Sequence, residues 1–101
     1  MVKHVVLWKL KEDLTLEEKE QVKKGIKEGL EGLMGKIPGL LEAKVQTLGL
    51  SSSNVDVMIE SLFESEEALQ GYAKHPAHVE VATTKVRPFT AARTCMDYVV
   101  R

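Results

Sequence analysis

Alternation of apolar and polar positions marks the first element of the chain. Val2–Leu10 is rich in Val and Leu and has the length of one strand. Side chains alternate across a strand, so His4, Val6 and Trp8 lie on one face. The opposite face of this strand is apolar as well. The pattern therefore predicts a first strand that is covered on both sides.

A helical period follows the first strand. Thr15 and Glu18 have the spacing of a capping box, which predicts that a helix begins at this point. Apolar residues then recur on one helical face, and charged residues fill the other positions. The apolar stripe consists of Val22, Ile26, Leu30 and Leu33. Gly25 and Gly29 lie on or beside it, and they indicate either close packing against a neighbour or room for a ligand.

The rest of the chain adds three strands and two more helical segments. Ser65 is a favourable N-cap for a second helix. The residue before a proline avoids the α-helical region, so His75–His78 ends that helix, and another is predicted from 78 to about 87. The further strands are predicted at Leu40–Leu50, Val55–Phe63 and Arg93–Val100. This order is typical of a ferredoxin-like α+β fold, a four-stranded antiparallel sheet with the helices on one face.

The face of the sheet away from the helices is predicted to be apolar. Strand one contributes its second face, and the third strand adds Met58 and Leu62. An apolar face of this size needs a cover, and most soluble oligomers are symmetric homodimers. We therefore expect a homodimer packed sheet against sheet.

Composition narrows the class of protein. The chain has 101 residues, 44% of them apolar, with 14 Lys and Arg against 15 Asp and Glu. This length predicts a single domain over residues 1–101, and the near-zero net charge argues against a nucleic-acid partner. No apolar run approaches the roughly 18 residues that a membrane span requires, so no membrane partner is expected. The lone cysteine forms no internal disulfide, which favours a cytoplasmic protein.

Chemistry is concentrated around two histidines and a tyrosine. Tyr72, His75 and His78 lie close together in the sequence, and His4 and Asp97 are on strands that can approach them. Histidine exchanges protons near neutral pH, and a phenol can orient a substrate oxygen. The alternatives are that His75 caps a helix and that His78 is solvated.

No cofactor or metal is expected. The pair His75 and His78 could be joined by Asp97 as a third ligand, but a zinc site needs three or four ligands in a defined geometry, and no cysteine pair supports one. Cys95 is predicted to be a buried apolar residue of the last strand. The chain also contains no glycine-rich phosphate loop and no dinucleotide-binding motif.

Several segments resemble one known family. They are Val2–Leu7, Phe63–Ser65, the Tyr-x-x-His-Pro-Ala-His segment at 72–78, and Asp97–Tyr98. Together they are similar to the stress-responsive α/β-barrel domain family, Dabb, over essentially the whole chain. The resemblance implies a protomer with a ferredoxin-like fold that forms a dimeric α+β barrel. Many bacterial members have no assigned activity, whereas plant members include stress-induced proteins, antifungal proteins and a cofactor-free polyketide cyclase.

The resemblance also implies a site. Tyr72 and His78 match the tyrosine and histidine that the plant cyclase uses, and His4 and Asp97 match other residues of its pocket. These four residues would be joined by an apolar wall formed by Val6, Trp8 and Ile59. The plant enzyme has bulky aromatic residues at positions where this chain has Val22, Ile26, Gly29 and Val81, so a polyketide substrate does not transfer.

Three functions follow as hypotheses. The leading one is a stress-response domain protein that binds a small apolar molecule between helices and sheet. The alternative is a cofactor-free cyclase or lyase with His78 as general base and Tyr72 as orienting acid. The third is a purely structural stress protein that acts through its dimer surface.

Overall fold

The computed structural model describes residues 1–101 as one antiparallel sheet covered on one face by helices. The strands are β1 (Val2–Leu10), β2 (Leu40–Gln46), β3 (Val57–Phe63) and β4 (Thr90–Val99), and the helices are α1 (Leu16–Glu31), α2 (Glu66–Lys74) and α3 (Pro76–Val81). The strand order is β2-β3-β1-β4, and every neighbouring pair is antiparallel. The predicted ferredoxin-like fold is confirmed. No helix is both long and apolar enough to cross a membrane.

Strand β1 lies in the middle of the sheet and sets the register of the site. His4 is opposite Ser61 on β3 and Asp97 on β4. Directly opposite residues share a face, so all three side chains point toward the helices. Along β1, residues on this face are buried and those on the other face are mostly half-buried, as the alternation predicts.

Helix α1 begins at the predicted capping box. The hydroxyl of Thr15 accepts a hydrogen bond from the Glu18 amide at 3.0 Å, and the Glu18 carboxylate accepts one from the Thr15 amide at 2.8 Å. The predicted apolar stripe of this helix is buried against the sheet. A Cβ atom at Gly29 would lie 2.8 Å from Cγ1 of Val81, so this glycine allows close packing between α1 and α3. Of the two interpretations, close packing holds at Gly29.

The strand ends differ from the predicted ones. Strand β2 ends at Gln46 rather than Leu50. Its partner β3 begins only at Val57, and Gln46 already pairs with Met58 near that end. Beyond Gln46, β2 has no partner for its backbone groups. Strand β4 begins at Thr90, three residues before the predicted start, because β1 provides partners as far as Leu10.

The third helix begins earlier and ends sooner than predicted. Pro76 occupies its first turn, and the ring of His75 caps it by accepting a hydrogen bond from the Ala77 amide at 3.1 Å. The predicted helix from 78 to about 87 is therefore wrong in its bounds. After α3 the chain widens into a π-helical turn at Ala82–Val86 and narrows into a 3₁₀ turn at Arg87–Phe89. Pro88, which has no backbone donor, lies in this last turn.

The two edge strands of the sheet differ in how far other residues cover them. On β2, Lys27 of α1 donates a hydrogen bond to the carbonyl of Val45 at 2.9 Å, and Glu31 accepts one from the Val45 amide at 2.9 Å. These contacts cover backbone groups of that edge. On β4, every residue from 91 to 99 is exposed. The helical layer therefore reaches over β2 and stops short of β4.

Candidate functional site

The sheet register brings His4 and Asp97 together. Nδ1 of His4 lies 2.5 Å from Oδ1 of Asp97, in a short hydrogen bond between opposite residues of β1 and β4. The histidine is buried and the aspartate is exposed. A carboxylate on Nδ1 fixes the orientation and tautomer of the ring, so Nε2 is left as the free ring nitrogen.

Tyr72 lies on α2 directly above this pair. It is 3% exposed, and its ring centroid is 6.0 Å from that of His4 and 4.9 Å from that of Phe63. Burial raises the pKa of Tyr72 to about 12, and the nearby charge of Arg93 opposes that shift only in part. The phenol is therefore protonated at neutral pH and can donate a hydrogen bond.

His78 lies on α3 against Tyr72. The two ring centroids are 4.2 Å apart with an angle of 39° between the ring planes. Burial lowers the pKa of His78, the backbone of Ala73 opposes this shift, and the charges of Arg87 and Arg93 contribute to it. The imidazole is therefore neutral at pH 7.

The Nδ1 atom of His78 is buried and forms no hydrogen bond. Most buried polar atoms have a partner, and one without a partner costs about 1 to 3 kcal/mol. The alternative that His78 is solvated is not contradicted, because the residue is half-buried and only its Nδ1 is shielded from water. The matching alternative for His75, a helix cap, is confirmed.

Two concave spaces meet at this cluster. A partly enclosed cavity of about 370 Å³, called the enclosed cavity below, lies between the helices and the sheet, and an open groove of about 910 Å³ follows α2 and β4. His4, Tyr72, His78 and Arg93 line both spaces. The predicted apolar wall, Val6, Trp8 and Ile59, lines the enclosed cavity, whereas Asp97 lines only the groove. The structure thus brings all seven predicted site residues to one region.

The sequence-based prediction for Cys95 is wrong. The residue is exposed rather than buried, because β4 is an edge strand beyond the reach of the helical layer. Partial burial of the thiol group is the main cause that raises the pKa of Cys95, and the charge of Asp97 is the second cause. A thiol with a raised pKa is a poor nucleophile at neutral pH.

Two arginines of the site were missed. Arg87 and Arg93 line the enclosed cavity. Arg93, Cys95 and Asp97 are every second residue of β4 and therefore share one face of the sheet. The prediction of Asp97 as a site residue was thus enough to predict Arg93 on the same face. Arg87 belongs to the 3₁₀ turn, and no sequence pattern predicted that turn.

A metal could be sought at His4, Cys95 and Asp97, whose ligand atoms all lie within 4.8 Å of one another. The Sγ atom is 3.8 Å from His4 Nδ1 and 3.5 Å from Asp97 Oδ1, close to the separation of about 3.5 Å between ligands of a tetrahedral zinc. The third separation, 2.5 Å, is that of a hydrogen bond and is too short for two ligands of one ion. His75 does not join a metal set with His78, because its Nδ1 caps α3. The expectation of no metal stays a prediction.

Comparison with known proteins shows which sequences are similar to this chain. The sequence profile named Stress responsive A/B Barrel Domain matches residues 2–100. The stress-response A/B barrel domain-containing protein HS1 of Arabidopsis thaliana is 35% identical over 82 residues, which are 81% of this chain and 74% of HS1.

Solved structures agree on the fold. A dimeric protein of unknown function with a ferredoxin-like fold from Bacteroides fragilis is 32% identical with a TM-score of 0.90, and the match covers 96% of this chain and 93% of that one. A hydroxynitrile lyase from Passiflora edulis has a TM-score of 0.73 at 21% identity, over 99% of this chain and 93% of the lyase. At that identity the likeness concerns the fold alone.

Proposed function

Because the chain belongs to the stress-responsive A/B barrel domain family, we propose that it is a stress-response protein that binds a small, largely apolar molecule in the enclosed cavity. The observation that carries this proposal is the cavity between the helices and the sheet, where the side chains of Tyr72 and His78 lie beside an apolar wall. A polar group of the ligand would hydrogen-bond to these side chains. The remaining surface of the ligand would lie against Val6, Trp8 and Ile59.

The dimensions support a small ligand. A volume of about 370 Å³ is at the lower end of the roughly 300 to 1,000 Å³ found for small-molecule sites. Eight of the 13 lining residues are hydrophobic, and three of the others, His4, His78 and Arg93, also line the groove. Apolar walls with a few convergent polar groups are typical of a binding site that orients its ligand.

Binding can be tested with an uncharged dye. N-phenyl-1-naphthylamine fluoresces more strongly in apolar surroundings, so titration with the protein should give a saturable increase. Ala82→Leu places a larger side chain at the cavity wall and should weaken dye binding at least about tenfold, since the cavity has little spare volume. The matched control is Thr83→Leu, whose residue is the next in the same turn, is exposed and does not line the cavity. Equal dye binding by both variants would contradict a site in this cavity.

The catalytic alternative rests on the protonation states in the site. His78 is in its basic form at pH 7, and Tyr72 is a protonated donor whose ring centroid is 4.2 Å from that of His78. His78 would remove a proton from a carbon next to a carbonyl group, and Tyr72 would hydrogen-bond the enolate oxygen that forms. The aspartate-bound His4 would orient the same oxygen from the sheet side.

This chemistry has a direct assay. NMR can follow the exchange of the α protons of 2-octanone for deuterium in D₂O with and without the protein. A general base at His78 predicts accelerated exchange that His78→Ala abolishes and that Tyr72→Phe reduces by about 10²-fold. Acceleration that survives His78→Ala would rule out this role, and binding without acceleration would leave the protein a binding protein.

We also propose that the chain forms a homodimer through the sheet face away from the helices. That face carries Met96 and Tyr98 of β4, which are 66% and 41% exposed, beside the half-buried Val5 and Leu7 of β1. The similar protein from Bacteroides fragilis is dimeric. Light scattering should give twice the mass of one chain. Leu7→Glu should shift the protein to monomer, because the dimer would bury the unpaired charge of the new glutamate. A monomeric mass at all concentrations would contradict the proposal.

A further inference from the structure

The enclosed cavity has an unusual charge composition for this protein. Its lining contains Arg87 and Arg93 but no aspartate or glutamate. The chain as a whole is nearly balanced, with 15 acidic against 14 basic side chains, so the excess of positive charge is local to this cavity. The acidic residues near the site, Asp97 and those of the α2 start, line only the outer groove.

Both arginines lack a protein counter-ion. The ion pairs of the structure join His4 to Asp97, Lys23 to Glu20 and Lys27 to Glu31, and neither arginine takes part in one. The charges are nevertheless directed at the site, since Arg93 influences the pKa of both Tyr72 and His78, and Arg87 that of His78. A guanidinium group beside an apolar wall favours a planar anion that it can bind through two hydrogen bonds.

We propose that the ligand of this cavity is a small apolar monocarboxylate, with its carboxylate held by Arg93 and Arg87 and its apolar body against Val6, Trp8 and Ile59. This inference rests on the binding function proposed above and names the ligand class. The protonated phenol of Tyr72 adds a neutral donor for the same carboxylate.

Ligands with the same apolar chain and different head groups can separate the contribution of charge to affinity from that of apolar burial. Octanoate, 1-octanol and octylamine share one chain and differ in the head group, and calorimetric titration at low ionic strength can compare them. We expect octanoate to bind at least about tenfold more tightly than octanol, and octylamine to bind more weakly than octanol. The advantage of octanoate should shrink as salt is added, because Arg87 and Arg93 are exposed residues whose charges salt can screen.

Variants assign the effect to the arginines. Arg93→Met keeps a long apolar stem and removes the charge, so it should reduce octanoate affinity about tenfold and leave octanol affinity within about twofold. Arg93→Lys should restore part of the loss, and Arg87→Met should act in the same direction. Arg101→Met is the matched control, because it removes an identical charge from an exposed residue that lines no part of the cavity.

The outcomes distinguish this inference from the binding function itself. If octanol and the uncharged dye bind but octanoate binds no better, the carboxylate assignment fails while the binding function stands. If neither octanol nor the dye binds, the binding function fails as well. Tighter binding of octyl phosphate than of octanoate would overturn the choice of carboxylate, and loss of octanoate binding in Arg101→Met would overturn the role given to the cavity arginines.

Discussion

The two edge strands of the sheet, β2 and β4, meet opposite environments. Strand β2 has seven residues, and the side chains of Lys27 and Glu31 bind its free backbone groups at Val45. Strand β4 has ten residues, and almost all of its side chains are exposed. The same sheet therefore has one edge closed by a helix and one edge that no helix covers.

This difference explains where the site lies. The helical layer packs apolar side chains over β2 and much of β3. Above β1 and β4 the layer ends, and the polar side chains of His4, Arg93 and Asp97 occupy the margin. A binding site forms at the boundary because burial there is sufficient to shift pKa values while access from the groove remains open.

The largest effect expected from this contrast is on stability. Val45 on β2 is 1% exposed, whereas Val99 on β4 is 63% exposed, and both side chains face the helical side of the sheet. Val45→Ala removes buried methyl groups and should lower the free energy of unfolding by about 2 kcal/mol, while Val99→Ala should cost at most about 0.5 kcal/mol. Urea unfolding of both variants provides the comparison. Equal losses would show that β4 is covered as well as β2 is.

Sequence patterns predicted the covered part of the sheet better than the uncovered part. The period of β1 predicted the face of His4, Val6 and Trp8, and the capping box predicted the start of α1. These features depend on residues that are near in sequence. Periodicity assigns a side chain to a face, but it does not say how far a second layer extends over that face. The exposure of Cys95 and the cavity position of Arg87 depend on that extent, and both were missed.

A smaller effect is expected at the closed edge itself. Glu31→Ala leaves the amide of Val45 without its side-chain acceptor and removes the partner of Lys27, so the free energy of unfolding should fall by about 1 kcal/mol. Glu28→Ala is the matched control, because Glu28 is an exposed residue of the same helix whose side chain makes no such contact. Urea unfolding at pH 7 measures the difference. Equal stability of the two variants would mean that the contacts at Val45 do not stabilise this edge.

The contribution of Glu31 should also depend on pH. Its pKa is lowered, first by the hydrogen bond from Lys27 and then by that from the Val45 amide. A group whose folded pKa is lowered stabilises the protein above its unfolded pKa, about 4.3, and the contribution is lost as pH falls toward the folded value. The stability gap between wild type and Glu31→Ala should therefore narrow below about pH 4. A gap that stays constant down to pH 3 would assign the effect to packing alone.

The smallest effect concerns the open side, where His78 is partly buried without a counter-charge. Burial lowers its pKa, so below about pH 6.5 the unfolded chain binds a proton that the folded protein resists. Stability should thus decline as pH falls through this window, and His78→Phe should flatten the decline. His75→Asn is the matched control, because asparagine is also a good N-cap and its substitution removes only an imidazole that caps α3. If urea unfolding between pH 7.5 and 5.5 gives the same slope for wild type and His78→Phe, the imidazole at the margin of the helical layer is as well hydrated as it is in the unfolded chain.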